Sequence, residues 1–254
     1  MRFGAASIRI GTVGKSHHSL MPYKFHPDLS TPPKRTVLWR YMDFAKFTDT
    51  LEARTLWFAR LDQLEDPLEG THTDGELGGL RKNLEEKRAK QLINLFRHTR
   101  KEIYVNCWRS GPNESLAMWD LYGRGSGIVA IKSTVGKLRE AVVTYDKPIY
   151  ISKTRYVDWT AAHGPDNVLV ACSRKDLSYA HEAEVRAIIM RDSENWADAG
   201  KIGIAVGIDV QKLITEVVVG PREHGWVVRL AERVMNRYGL SQPVVASDRL
   251  RARA

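Results

Sequence analysis

The sequence predicts an α+β protein, a mixed and mostly antiparallel sheet with flanking helices in a single domain. Short segments with the two-residue alternation of strands recur between residues 36 and 247. Stretches with helical spacing of apolar residues lie among them, clearest over 223–238, and no internal repeat orders the two kinds into a regular series. The length of 254 residues suits one large domain with a sizeable core.

Residues 1–35 carry Gly, Ser, His and Pro without strand or helix period and end near Pro32 and Pro33, which predicts a flexible basic leader ahead of a domain over 36–254. His17 and His18 lack partners at ligand spacing. Residues 36–41 alternate as a first strand, and Asp43 then caps a helix with Phe44, Phe47 and Leu51 on one face. A strand over 55–59 runs into a turn at Asp66-Pro67 that brings Asp66 and Glu69 together. Such a pair can bind metal or do acid–base work, but in a loop with Pro and Gly it more often serves the turn and caps a helix. Residues 76–102 are rich in helix formers, with an incomplete apolar stripe at Leu80, Leu84, Leu92, Leu95 and Phe96; they read as a helical insertion, either an exposed helix or a cover for a site.

The stretch 107–132 gathers unusual residue types. Ile103, Val105 and Cys107 alternate with Tyr104, Asn106 and Trp108, as in a strand whose polar and aromatic face turns away from the core. Residues 110–113 break it, Asn113 caps a short helix bearing Leu116, Trp119 and Tyr122, and Gly123, Gly125 and Gly127 end that helix. A strand follows over 128–132, and Ser133 opens a helix to Leu138. Strands are expected over 141–145 and 149–156, and a helix over 167–175. Glu182, Glu184 and Arg186 are two apart, so on a strand they share one face, opposite Val185, Ala187 and Ile189. That face is either a solvent-facing ladder or a cleft floor where Arg186 orients one carboxylate while the other acts on a ligand. Strands over 202–208 and 216–220 flank a helical turn at 211–214. The helix over 223–238 then presents Trp226, Val227, Leu230, Val234 and Tyr238, Gly239 stops it, and 244–247 forms a last strand.

A formal net charge of +9 and a pI near 9.6 favour an anionic partner, a dinucleotide or nucleic acid. Basic residues are nevertheless dispersed among acidic ones, only Arg249, Arg251 and Arg253 cluster densely, and no run interleaves them with aromatics. Cys107 and Cys172 sit in no metal-ligand spacing, which points to reduced thiols and a cytoplasmic protein. No apolar run approaches the ~18 residues of a membrane helix. The first residues lack the apolar core of a secretory signal.

Five segments in order resemble a prokaryotic family known as domain-of-unknown-function family 2971. They are LWRYMD at 38–43, LWFARLDQLEDPLEG at 56–70, NCW with ESLAMWDLYG within 106–123, GIVAIKST at 127–134 and HEAEVRA at 181–187. Members similar to this chain often carry a histidine after Cys-Trp; Arg109 stands there and suits anion binding better than base chemistry. A second resemblance, of order and residue type, is to the ADP-ribosyltransferase superfamily. Arg40 on an early strand, the segment 108–110 in the middle, and Glu182 with Glu184 on a late strand carry it, without the Ser-Thr-Ser segment. That resemblance implies NAD as a substrate, with no tightly bound cofactor and no metal. Glu184 would stabilise charge at the ribose carbon, and Glu182 would orient or deprotonate an acceptor. Arg40 would hold the pyrophosphate, while Trp108, Trp119 or Tyr122 stacks on a ring. Tyr41, Arg109, Ser110 and Arg186 complete the candidate binding set. The alternative places Trp119 and Tyr122 in the core and pairs Arg40 with Glu182 or Glu184.

Two functions stay open on the sequence: an NAD-using transferase, such as a toxin or phage-defence effector of the kind the family's genes suggest by association, and a non-catalytic basic module that binds nucleic acid or a partner protein. Convergence of Arg40, Trp108, Arg109, Glu182 and Glu184 on one cleft separates them. A metal-dependent nuclease built on Asp66 and Glu69 lacks further His or Asp ligands at recognisable spacing.

Overall fold

The computed structural model describes residues 22–122, 127–142, 145–163, 167–191 and 200–250. In chain order the elements are β1 Val37–Asp43, α1 Phe44–Ala53, β2 Thr55–Arg60, α2 Asp74–Asn83, α3 Glu86–Thr99, β3 Ile103–Ser110, α4 Leu116–Tyr122, β4 Ile128–Thr134, α5 Val135–Ala141, β5 Tyr150–Lys153 and β6 Arg155–Val157. They continue with α6 Val168–Ala171, β7 Arg174–Asp176, β8 Glu184–Met190, β9 Gly203–Gly207, α7 Val210–Leu213, β10 Glu216–Val219, α8 Gly225–Arg237 and β11 Val244–Ala246. They build one α+β domain on a mostly antiparallel sheet, with β10 and β11 parallel at one edge and a small separate β6–β7 ribbon.

The sheet forks at β3. One edge of β3 pairs with β8 from Ile103 opposite Met190 to Arg109 opposite Glu184, and β8 pairs onward with β5. The other edge is shared: β1 pairs only at its far end, with Leu38 opposite Ser110 and Trp39 opposite Arg109, while β2 pairs near its start, with Ala59 opposite Val105 and Arg60 opposite Tyr104. Beyond these contacts β1 joins β4 and β2 joins β9, so the two branches part beside the middle of β3. Side chains fill the hydrogen-bonding positions left there. Asn106 donates its amide to the Trp57 carbonyl at 2.8 Å and accepts the Trp108 indole N–H at 2.6 Å, while Arg40 donates to the Cys107 carbonyl at 2.9 Å. Asn106→Leu removes a partner from the Trp57 carbonyl and the Trp108 N–H in a dry position, and is expected to lower stability in urea unfolding by about 3 kcal/mol. A change below about 1 kcal/mol would mean that the fork is held by other contacts.

Helices cover both faces of the sheet. On one, Leu38, Met42, Phe58, Tyr104, Trp108, Val185, Ala187 and Ile189 pack with residues of α1, α5, α7 and α8. On the other, Trp39 and Tyr41 pack with Met118 and Trp119 of α4, while Ile103, Val105 and Ile188 pack with Leu61 and Leu169. The face of β3 expected to turn from the core, Tyr104 with Asn106 and Trp108, is therefore buried in the larger core. Period-2 alternation implies one wet face only when one face lacks a cover.

Several other expectations shift. The 76–102 insertion is two helices, broken at Leu84 and Glu85. Thr73 opens α2 with a reciprocal capping box to Glu76, and an acidic residue then starts α3 after the short extended break. Thr134, not Ser133, caps α5; the Ser133 hydroxyl instead donates to the Leu213 carbonyl at 2.6 Å. Ser115 rather than Asn113 caps α4, its hydroxyl accepting from the Met118 N–H. The helix over 167–175 stops at Ala171, and Arg174 begins β7. The strand over 149–156 divides at Thr154, because the Thr154 N–H still bonds the Glu184 carbonyl at the end of the β8 pairing while the Arg155 N–H turns to the Ser173 carbonyl beside β7. Helix α8 buries Val227 of the expected stripe together with Ala231 and Met235, packs Val234 and Tyr238 at the edge of the core, and leaves Trp226 exposed. Of the 1–35 leader, 1–21 lie outside the described residues; in 22–35, Tyr23 bridges to Ile149, Ser30 accepts from the Lys153 N–H, and Leu29 is buried. Part of the 141–145 strand also falls outside, Val142 making an isolated bridge to Ile208.

Candidate active site

The face of β3 and β8 opposite the larger core carries Cys107, Glu184 and Arg186, and their surroundings are ionic. Arg186 is wholly buried, and its guanidinium reaches Glu69 at 2.5 Å, Glu184 at 2.8 Å and the Cys172 carbonyl at 2.8 Å. Lys175 on β7 reaches Glu182 at 2.7 Å and Glu69 at 3.3 Å, and its ammonium stands 4.3 Å over the Tyr179 ring. Thr154 donates to the Glu184 carboxylate at 3.3 Å, and the Tyr156 hydroxyl accepts the Glu184 backbone N–H at 2.7 Å. Three carboxylates, Glu69, Glu182 and Glu184, thus surround two cations, Lys175 and Arg186.

A bent backbone makes this meeting possible. Glu182 ends a 3-10 turn over Leu177–Glu182, and Ala183 follows in the left-handed region with φ 44°, before β8 begins at Glu184. A non-glycine residue there is strained and needs fixing by its surroundings. Ser110 supplies that, since both its N–H and its hydroxyl donate to the Ala183 carbonyl at 2.8 Å. Glu182, Glu184 and Arg186 are therefore not three rungs of one strand; Glu182 joins the other two through Lys175. Gly70, next to Glu69, also has a positive φ of 69°, and a Cβ there would come within 2.6 Å of Leu61. Only glycine lets the chain turn so closely and still aim Glu69 inward.

Burial raises the Glu184 carboxyl, but the Arg186 guanidinium, hydrogen bonds and Lys175 outweigh it and hold it below the ordinary carboxylate value. Burial prevails at Glu69 and pushes its carboxyl up despite Arg186 and Lys175. Burial also drives the Cys107 thiol well up, helped by Glu184, which makes it a poor nucleophile. The Tyr122 ring is 44% exposed, yet its hydroxyl is pushed up to about 12 by burial and by Cys107, with Arg40, Glu182 and Glu184 also within electrostatic reach.

The other candidates divide. Arg40 carries no carboxylate partner among the described residues, is lowered by burial, and stands 5.8 Å from the Trp108 ring centre. Trp108 and Trp119 are 1% and 3% exposed and occupy opposite cores, with Trp119 donating to Glu114. Neither ring offers a face to a ligand. Tyr41 is buried edge-on against Trp119 at 4.7 Å and accepts the Ser115 N–H. Arg109 folds over the following turn and donates to the Asn113 carbonyl at 2.7 Å. Lys175, Tyr156 and Tyr179 escape the sequence reading, and Glu69 enters it only as half of the pair with Asp66, weighted toward turn and capping work. Asp66 does the turn work expected of the pair, accepting the Leu68 N–H, which frees Glu69 for the interior. A buried Glu and a buried Lys far apart in sequence leave no periodic mark; the one available signal is Glu69 placed directly before a glycine in the turn that follows Asp66-Pro67.

Among the described residues no group of three or more His, Cys, Asp or Glu side chains could hold a metal ion. Among them, too, no helix is long and apolar enough to cross a membrane.

The fold and the network together define an α+β domain with a forked central sheet and a buried carboxylate–cation cluster at the head of its longest-paired strand. Solved structures similar to it include three of DarT from Thermus sp. 2.9. The one in complex with NAD+ has a TM-score of 0.41 and 10% identity, covering 85% of this chain and 98% of that one. The one in complex with ADP-ribosylated ssDNA has a TM-score of 0.39 and 9% identity, covering 86% and 96%. The one in complex with carba-NAD+ has a TM-score of 0.36 and 11% identity, covering 85% and 96%. No family model and no curated protein matches the chain, so the likeness to family 2971 stands on its five segments alone.

Proposed function

We propose that the chain is an NAD-using transferase that cleaves the nicotinamide glycosidic bond and passes ADP-ribose to an acceptor. The observation that carries this reading is Glu184: a carboxylate only 7% exposed, kept charged by Arg186 and Lys175, in a network with a formal excess of one acid over its bases. As the bond to nicotinamide breaks, the electron pair leaves with the ring and positive charge builds on the ribose carbon. A fixed negative site binds that state better than the ground state and lowers the barrier. The acceptor's lone pair then closes on the same carbon, and its proton passes to Glu182, which is less buried than Glu184. Arg40, with one donor committed to Cys107 and no acid attached, supplies the remaining donors to the pyrophosphate, and the exposed ring of Tyr122 is a stacking surface.

The test is NAD consumption and transfer of labelled ADP-ribose by purified protein, with and without cell lysate, beside Glu184→Gln. Nicotinamide release that the variant loses supports the reading. Protein that neither binds nor consumes NAD in any of these conditions sinks it, and salt-dependent binding of nucleic acid then tests the basic-module alternative.

A further inference from the structure

We infer that Lys175, anchored by Glu69, is a positioning residue that fixes Glu182 for the acceptor half of the reaction; this rests on the transferase reading. Glu184 is held by the β3–β8 ladder, by Arg186 and by Thr154. Glu182 has none of these. It ends a 3-10 turn, the next residue is the strained Ala183, and its carboxylate is met by Lys175 at 2.7 Å.

Lys175 itself is fixed from three sides. It lies on β7, paired in register with Tyr156 of β6; its ammonium contacts buried Glu69 at 3.3 Å, and the Tyr179 ring lies beneath it at 4.3 Å. Burial lowers its proton affinity, but Glu184, Glu69 and Glu182 more than reverse this and keep the ammonium charged. A flexible four-carbon stem thus ends in a charge with little freedom to move. Glu69 is the counter-anchor, since Gly70 turns the loop tightly enough to send its carboxylate inward. The two carboxylates are thereby met directly by different cations, Glu184 by Arg186 and Glu182 by Lys175, while Glu69 contacts both cations and Lys175 acts on Glu184 only through its field.

The experiment compares the parent with Lys175→Met, Lys175→Arg and Glu69→Gln, reading nicotinamide release into water, ADP-ribose transfer, and KM for NAD. In Lys175→Met, hydrolysis is expected to lose only what the field of the ammonium contributes at Glu184, and transfer to fall at least about tenfold further through misplacement of Glu182, with KM within about twofold. Lys175→Arg, whose fork can span both carboxylates, recovers most of the transfer. Glu69→Gln lies between the two. Equal losses of hydrolysis and transfer in Lys175→Met, or no recovery in Lys175→Arg, would overturn the inference. A crystal structure of Lys175→Met judges it without turnover: displacement of the Glu182 carboxylate with the Glu184–Arg186 pair intact supports it, and an unmoved Glu182 overturns it. A parent that consumes no NAD defeats the transferase reading alone, and the structure of the variant still decides the placement of Glu182.

Discussion

Glu184→Gln is expected to lower the rate of nicotinamide release about 10²- to 10³-fold while leaving KM for NAD within about threefold, the pattern of an interaction made in the transition state. Glutamine keeps the size of the side chain and an oxygen for the Arg186 and Thr154 donors, which in the parent lie 2.8 and 3.3 Å away. The charge is what it lacks. Steady-state kinetics on folded variant, matched to the parent by thermal unfolding, checks this. A kcat within threefold of the parent would assign Glu184 to the fold and move the search for chemistry to Glu182.

The largest loss of stability is expected from Arg186→Met. Its guanidinium is 0% exposed and faces two carboxylates and a carbonyl. Methionine fills much of the volume but leaves Glu69 and Glu184 buried without their shared cation, at a cost of about 3–5 kcal/mol. That is a large share of the roughly 5–15 kcal/mol typical of a domain. Adding Glu69→Gln and Glu184→Gln to the same chain should return most of it, because the charges themselves are then gone. The dependence on pH has a definite sign. In the parent the Glu184 carboxyl is depressed, so it contributes stability above the ordinary carboxylate range that is lost as pH falls through the folded value. In Arg186→Met the stranded carboxylates bind protons more readily when folded, so stability rises as pH falls. Urea unfolding of both proteins between pH 8 and 5 should therefore show the gap closing toward acid; a constant gap would mean the carboxylates are compensated by other groups.

The framework of the fold was legible because its signals are local. Strands β1, β2, β3, β4, β9, β10 and β11 and helices α1 and α8 all lie where alternation and apolar spacing place them, to within a few residues. Pieces that depend on distant partners were not. After Thr154 the backbone leaves the β8 ladder for β7, and β6 and β7 pair with each other. The site divides in the same way. Glu182, Glu184 and Arg186 show themselves by spacing within one segment, and Arg40 by its place on β1. Glu69 and Lys175 enter from loops and short strands whose burial is decided by tertiary contacts. Alternation named the strand correctly but could not foresee the left-handed Ala183, which takes Glu182 off it.

The shared strand β3 also governs when the site can exist. Its partners β1 and β2 precede it, but β8, which completes the cluster, follows some seventy to ninety residues later, as the pairing of Arg109 with Glu184 and Ile103 with Met190 requires. Contacts across such loops form late, after the entropy of closing them has been overcome. On the ribosome, a chain made only through residue 174 has Glu69 and Arg40 but neither Lys175 nor Arg186. Chains that end before β8 would then lack the meeting of Glu69, Glu184 and Arg186 altogether.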